Sequence, residues 1–541
     1  MPLGTHTYLK FDHIIIIINI KMYSIVSDGA LSWRLYNRIR SLFSHRLTLD
    51  TLYNLHKRMA ELSQVTEVIY DCCINSCCCF TGRFLYDCFC SYCNEPRFDS
   101  DGKARQRFRY LPLTARLKGL YLNIVTSELM DYRSKYTHNE EEISDVFDGI
   151  HYRKLLEEVV KIDGTAQGHR FFSESRDLAL GIMTDGFQIF KRVRNGSQTC
   201  WPIIMLNFNL PPEIRTRLSN IVPVAIIPGP NAPKDFNSFF RPLIEESKIL
   251  AAGVRAFDAR RKEAFTFHAY PISCHGDMPA IKHLMNFKGH NAVCPCRACE
   301  IKAIRDPSNP RAPYYVPLTP PASFTGNSQG WDPDNLPLRT DERIAAQLNA
   351  IQTGRTVTER TNLRKKFGIN DVCDLTEIPS IKSSHSFGHE AMHLWLENTA
   401  KNMIAHWQGR FKDLNEGQES YRISDAQWSI IGKETEAAGT TIPSSFGRRT
   451  PNIWTERHNF TAEDWSFWFI HLAPHLLKGR FQRPKYYAHF MKLNNILKIV
   501  FQYTITRQQL ANIHRLIIEW VDEYEQYVIL TLPIVYAAGI Y

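Results

Sequence analysis

Two aspartates, Asp185 and Asp277, sit where strand ends are expected. The apolar run Leu178–Thr184 ends at Asp185-Gly186, and a second run over 265–272 leads into Cys274-His275-Gly276-Asp277. Short apolar runs bounded by turn residues are the pattern of buried strands. If the two strands are neighbours, both carboxylates leave the sheet at one edge. Paired carboxylates suit Mg²⁺ or Mn²⁺, hard cations that prefer oxygen ligands. Two such ions about 4 Å apart stabilise the attacking and leaving oxygens of a phosphodiester. A third acidic ligand is expected from a helix over 388–407, where Glu390, His393 and Glu397 fall on one face. Glu397, mid-helix beside Asn398, is the choice, with Glu390 the alternative. The same Asp-Gly pairs are also ordinary turn signals, and the chain repeats them at Asp148-Gly149 and Asp163-Gly164.

Cysteine supplies a second set of candidate ligands. Eight of the fourteen cysteines fall between Cys72 and Cys93. Cys73-x3-Cys77 followed by Cys90-x2-Cys93 offers four thiolates in two close pairs, the spacing of a tetrahedral structural Zn²⁺ site. Cys72, Cys78, Cys79 and Cys88 compete for the same assignment, and a set of buried free thiols is the alternative. A later pair, Cys296-x2-Cys299, is half a site, to be completed by His393 or Cys294. A redox role is less fitting, because the pair does not open a thioredoxin-like βαβ unit. Isolated histidines such as His275 and His283 read as ordinary polar residues.

The elements that must position these groups alternate between strand and helix. Strands are expected at Leu178–Thr184, 187–192, 202–208, 222–228 and 265–272, with a long helix over 236–262 and another beginning near Met278. That order, three strands, a helix, then a further strand, is the order of an RNase H-like sheet, which carries two carboxylates on adjacent central strands and a third on a later helix. Residues 304–338 hold eight of the 28 prolines and read as an irregular insertion. Helical patterns cover 47–68, 341–366, 388–407 and most of the chain from 420 to 527.

At the level of motifs, the chain resembles transposases of the CACTA type, in particular the Plavaka group of basidiomycete fungi. The matching pieces are Thr184-Asp185-Gly186-Phe187, Gly276-Asp277-Met278-Pro279-Ala280, Cys296-x2-Cys299, Met392-His393-Leu394, Glu397-Asn398 and Trp407-x-Gly409. Similar stretches at 144–152, 441–452 and 460–487 extend the resemblance from about residue 50 to 525. It implies an RNase H-like, DDE-type core in which Asp185, Asp277 and Glu397 hold Mg²⁺ or Mn²⁺. It also implies a Cys-rich amino-terminal element at Cys73, Cys77, Cys90 and Cys93. The implied reaction is phosphoryl transfer: cleavage at transposon ends, then joining of the freed 3′-hydroxyl to target DNA. One departure is Glu390, which stands where such sequences commonly have an aspartate. The expected organisation is an unassigned segment at 1–46, a helical and Cys-rich zinc and DNA-binding element at 47–140, an α/β catalytic core at 141–410, and a helical carboxy-terminal region at 411–541, truncated relative to the family.

Composition agrees with a folded protein that meets polyanions. The chain of 541 residues is 44% hydrophobic and 22% charged, which excludes a disordered chain. With 65 basic and 55 acidic residues the net charge is +10, a modest pull toward double-stranded DNA. The basic residues Lys103, Arg105, Arg107, Arg109 and Arg116 are the expected DNA-contacting surface. No secretory signal is recognisable, and the apolar runs at 14–18 and 527–541 are too short for a membrane span. The expected setting is the nucleus, with homo-oligomers that bring two DNA ends together. A catalytically inactive, zinc-stabilised DNA-binding protein of the same ancestry is the competing function.

Overall fold

The computed structural model describes residues 15–529, apart from 16, 27–30, 47, 64, 189–198, 290–291, 305–315, 321–329, 412–418 and 444–445. Its centre is a seven-stranded mixed sheet of β1 (Val68–Asp71), β2 (Arg107–Tyr110), β3 (Leu178–Thr184), β4 (Phe187–Gln188), β5 (Thr199–Asn207), β6 (Val222–Ile227) and β7 (Ala269–His275). The order across the sheet is β1-β2-β6-β5-β3-β7, with β4 paired to β5. β3, β5 and β6 form an antiparallel meander. After a crossover, β7 returns beside β3 and parallel to it.

Side chains alternate between the faces of a strand, and here both faces are covered. Leu178, Leu180 and Ile182 of β3 join one buried cluster with Ile203, Met205, Val224 and the helix α1 (Phe236–Ala252). Ala179 of β3 joins a second cluster with Phe147, Tyr152, Phe208 and Tyr270. Two-sided burial explains why β3 reads as an unbroken apolar run.

The predicted strands at Leu178–Thr184, 202–208 and 222–228 correspond to β3, β5 and β6. The strand expected at 187–192 is seen as Phe187–Gln188, and 189–192 lie outside the described residues. Two boundaries differ. The helix expected over 236–262 stops at Ala252, because Gly253 takes φ +105° and its amide closes onto Leu250 O. Beyond it the chain forms the hairpin Val254–Asp258 with Glu263–Phe267. The strand expected over 265–272 is therefore split between that hairpin and β7. Of the proline-rich stretch, the described residues carry isolated bridges and no helix.

β1 and β2, which flank the Cys-rich segment, extend the same sheet as the core strands: Arg109 and Tyr110 pair with Ile226 and Ala225. The carboxylate of Glu246 on α1 ties this join. It accepts from Tyr110 Oη at 2.5 Å and from the first amides of helix Leu113–Leu122, Leu113 N at 2.9 Å and Thr114 N at 2.7 Å.

From Met392 onward helices build a separate apolar core. It contains Leu396, Met403, Trp407, Trp428, Trp468, Phe490 and Trp520. The segment expected as one helix over 388–407 begins as a nine-residue π-helix, Met392–Ala400, and continues as α-helix Lys401–Trp407. Its buried face belongs to this helical core. Among the described residues, no helix is long and apolar enough to cross a membrane.

Removing the Glu246 carboxylate strands two helix-start amides and a tyrosine hydroxyl. Glu246→Ala should cost about 1–3 kcal/mol of stability, read as a lowered denaturation midpoint with an unchanged far-UV circular dichroism spectrum.

Candidate functional site

The register of β3 against β7 places Met183 opposite His275. Two residues further along each strand stand Asp185 and Asp277, at one end of the sheet. The glycines beside them serve close approach. A Cβ on Gly276 would lie 2.7 Å from Thr184 O and 2.9 Å from Ala280 Cβ. A Cβ on Gly186 would lie 2.6 Å from the Trp201 ring. Neither glycine has positive φ, whereas Asp163 and Gly164 do, at 47° and 84°. Asp163-Gly164 is therefore the left-handed turn that the Asp-Gly pattern suggests, and the glycines at 186 and 276 answer to packing.

Each aspartate keeps one oxygen for local structure. Asp277 Oδ1 accepts from Ala280 N at 2.7 Å and caps the helix α2 (Met278–Leu284). Asp185 Oδ1 accepts from Gly186 N at 2.7 Å. The second oxygen of each has no hydrogen-bond partner among the described residues. Partial desolvation, then the charge of Asp277, raise the Asp185 pKa above its ordinary value; Glu390 pushes it further up and His393 draws it down.

Glu390 is thus among the charges that Asp185 feels. It also faces His275, whose pKa burial lowers and Glu390 opposes. The Glu390 carboxylate accepts from Met392 N and His393 N, each at 2.7 Å, and lies 2.5 Å from His393 Nδ1. A carboxylate offers about four lone-pair directions, so these bonds leave room for a further ligand. Glu397 is half-buried on the π-helical segment, and no described side chain or amide hydrogen-bonds to it. Sequence spacing ranked Glu397 first; the fold brings Glu390 into the electrostatic neighbourhood of Asp185. Among the described residues, two buried polar atoms near Asp185, Thr184 Oγ1 and Trp201 Nε1, also have no hydrogen-bond partner. His283 stacks on Phe236 at 4.8 Å and is pushed down to about 4 by burial, the behaviour of a packed, neutral histidine.

A second constellation is made of thiols. The Sγ atoms of Cys73, Cys77, Cys90 and Cys93 all lie within 4.8 Å of one another, and Cys73 and Cys93 approach to 3.4 Å. Among the described residues this is the one group of three or more ligating side chains drawn together so tightly. Four sulfurs in two pairs fit a structural metal such as zinc. Cys72 and Cys79 turn into the main core instead, and Cys88 is exposed. Amides aim at the sulfurs: Asn75 N lies 3.4 Å from Cys73 Sγ. Burial works against ionisation of Cys93, but hydrogen bonds from Glu95 N, Asn75, Cys73 and Cys90 bring it down to about 7. The thiol loop is fastened to the start of α1. Lys234 N and Asp235 N donate to Cys77 O at 3.0 and 2.9 Å, and Tyr92 Oη donates to Asp235 Oδ2 at 2.9 Å.

The basic stretch that follows is largely engaged within the fold. Arg97 pairs with Asp71, Arg105 with Glu95 and Arg109 with Glu67. Arg116 donates to Pro223 O. Lys103, Arg107 and Arg109 nonetheless stay exposed, so these ion pairs brace the surface without withdrawing the stretch from solvent.

The Cys296-x2-Cys299 pair lies beyond α2. His393, one of its expected partners, turns to Glu390. Cys294 Sγ donates to Lys366 O at 3.2 Å. Among the groups that lower the Cys296 pKa is the imidazole of His389, a residue that helix-face reasoning passed over because it precedes the helix.

Residues 159–309 match the model of the transposase family tnp2. The matched stretch contains Asp185, Asp277, Cys296 and Cys299, and supports a transposase role. No curated protein matches the chain.

Two outcomes follow. Because the Asp185 pKa is raised, its contribution to stability is complete below the unfolded value near 3.9 and is lost as pH rises through the folded value. In metal-free protein, Asp185→Asn should therefore raise Tm at neutral pH and leave it unchanged at the acid end, by calorimetry across pH. For the thiol cluster, Cys90→Ser should remove one zinc per chain and open the 72–106 loops to limited proteolysis, since metal affinity is folding free energy in such elements.

Proposed function

We propose that this chain is a DNA transposase of the CACTA type, Plavaka group, whose RNase H-like core performs DDE-type phosphoryl transfer. The observation that carries the reading is the pair Asp185 and Asp277 at the ends of adjacent parallel strands, within the segment matched by the tnp2 model. The meander followed by a parallel return strand is the arrangement an RNase H-like core requires. The Plavaka placement rests on the order of motifs from about residue 50 to 525.

Asp185 and Asp277 hold divalent cations, with Glu390 as the third acidic ligand in place of the first-ranked Glu397. The donor set fits Mg²⁺ or Mn²⁺, because clustered carboxylate oxygens repel one another until a hard cation intervenes. When bound, two such ions lower the pKa of an attacking water and stabilise the leaving oxygen. The protein's part is positional: the two strand ends fix the spacing of the carboxylates, and His393 orients Glu390. Water attacks a phosphodiester at the transposon end, and the P–O3′ bond breaks to free a 3′-hydroxyl. That hydroxyl then attacks a target phosphodiester, forming a new P–O bond as the target's 3′-oxygen leaves. Double-stranded DNA as substrate implies a nuclear setting, and pairing of two ends implies a homo-oligomer.

The test is nicking of supercoiled plasmid in Mn²⁺ by the full chain. Wild type should nick, and Asp185→Ala and Asp277→Ala should lose at least about 100-fold, the scale of removing a group that stabilises transition-state charge. Glu390→Gln should fall with them while Glu397→Gln retains activity; the reverse would return the third position to Glu397. Equal nicking by all variants would remove the site. Salt-dependent DNA binding without nicking by any protein would favour the inactive, zinc-stabilised DNA-binding alternative.

A further inference from the structure

Positive charge gathers without a counter-charge just beyond the candidate site. Lys282 lies on α2, the helix that Asp277 caps. Lys288 lies in the loop after it, and Arg364, Lys365 and Lys366 fill the last turn of the helix α3 (Val357–Phe367). The fold draws these segments together. Phe287 bridges to Ile369, Lys288 N donates to Gly368 O at 2.8 Å, and Asn370 N donates to Asn286 O at 2.7 Å. The Lys282 stem crosses Gly289 so closely that a Cβ there would lie 2.6 Å from Lys282 Cδ. Arg364 Nε donates to Asn370 O at 2.7 Å, which holds its guanidinium beside the same loop.

Two ordinary explanations for such a cluster fail. The first is ion pairing. Among the described residues none of these cations pairs with a carboxylate, whereas Arg343 on the preceding helix, Asp341–Thr353, pairs with Glu300. The second is capping, because basic side chains in a last helical turn often serve its free carbonyls. Here those carbonyls are engaged by other donors. Lys366 O accepts from Cys294 Sγ at 3.2 Å, Phe367 O from Arg339 Nη2 at 2.9 Å, and Gly368 O from Lys288 N. The cations are left facing one another. Burial, then the charges of Arg364, Lys365 and Lys282, pull the Lys288 pKa below its ordinary value. Like charges gathered in this way are relieved by an anion.

We propose that Lys282, Lys288, Arg364, Lys365 and Lys366 form a track for the phosphate backbone of duplex DNA, leading away from the Asp185 and Asp277 pair. Lys282 lies about 7 Å along α2 from Asp277, the span of about two phosphates on one strand. A duplex engaged at the strand ends therefore lays its next phosphates over the track. Lys365 and Lys366 are exposed, and Lys282, Lys288 and Arg364 are half-buried. Between Arg360 and Gly368 the exposed side chains are Thr361, Asn362, Lys365 and Lys366. With no exposed apolar residue among them, this stretch lacks the wedge by which a basic helix enters a membrane surface. The inference rests on DNA as the substrate and adds the path the strand takes; it does not depend on cleavage.

The experiment is duplex binding by the full chain, without divalent metal, across a series of salt concentrations. Combining Lys282→Gln, Lys288→Gln and Lys365→Gln should flatten the slope of log K against log salt by about 3, near one for each lost phosphate contact. Lys282→Arg, Lys288→Arg and Lys365→Arg together should keep the wild-type slope. Lys154→Gln, Lys433→Gln and Lys478→Gln together remove the same charge from exposed positions elsewhere and should also keep it. In wild-type protein, duplex should shield Lys365 from acetylation, read by mass spectrometry. An unchanged slope in the first variant, an equal loss in the last, no duplex binding by wild type, or a preference of the track for phosphatidylserine vesicles over duplex would each overturn the proposal. Nicking is scored separately. Wild-type slope in the first variant beside a wild-type protein that nicks would sink the track and spare the nuclease. A flattened slope with no nicking by wild type would do the reverse.

Discussion

Like charges held at neighbouring strand ends are the constraint around which this fold is arranged. The charge of Asp277 at the end of β7 raises the cost of ionising Asp185 at the end of β3, and a sheet brings them together only where backbone can approach backbone. Gly186 and Gly276 permit that approach, one under the Trp201 ring and the other against Thr184 O. The parallel pairing of β3 and β7 needs a crossover, and α1 with the following hairpin supplies it. Burial on both faces then keeps the strands in register, because a slip of one residue would exchange the two apolar clusters.

The Cys-rich element is fastened to this arrangement at several points. Its flanking strands extend the sheet, its thiol loop is hydrogen-bonded to the start of α1, and Glu246 joins β2 to the next helix. A metal held by the four thiols would therefore bear on the crossover helix as well as on its own loop. Buried arginines make similar braces elsewhere: Arg215 pairs with Asp145, and Arg133 donates to the carbonyls of Glu174, Ser175 and Asp177. Such ion pairs cancel in the count and leave the net charge of +10 as it stands.

Glu390 stands at the junction between the sheet and the helical region. It precedes a π-helical segment whose buried face packs with the tryptophans of the carboxy-terminal core. Single-turn π geometry is frequent at functional sites, and here it extends over nine residues. In the proposed reading, the third acidic ligand is delivered by the helical region to a pair of carboxylates supplied by the sheet. The relative placement of the two cores then decides whether the site is complete.

By itself, the sequence determined the features that rest on local pattern. Apolar runs marked β3, β5 and β6, and the spacing of Cys73, Cys77, Cys90 and Cys93 marked the four thiols that converge. Asp185 and Asp277 were legible because strand-ending carboxylates beside glycine are a local signature. Tertiary structure decided whatever depended on distant partners. Gly253 ended a helix that periodicity would have continued, because its φ of +105° is set by the hairpin that follows. Glu390 and Glu397 share a face by spacing, and only the docking of their segment places Glu390 within reach of Asp185. His389 lowers the pKa of Cys296 across a long stretch of chain, which no spacing rule encodes. The basic stretch near the thiols read as a free charged face until its carboxylate partners, Asp71, Glu95 and Glu67, were brought beside it by the fold. Local pattern records what a residue prefers, and long-range packing selects which of its possible partners it meets.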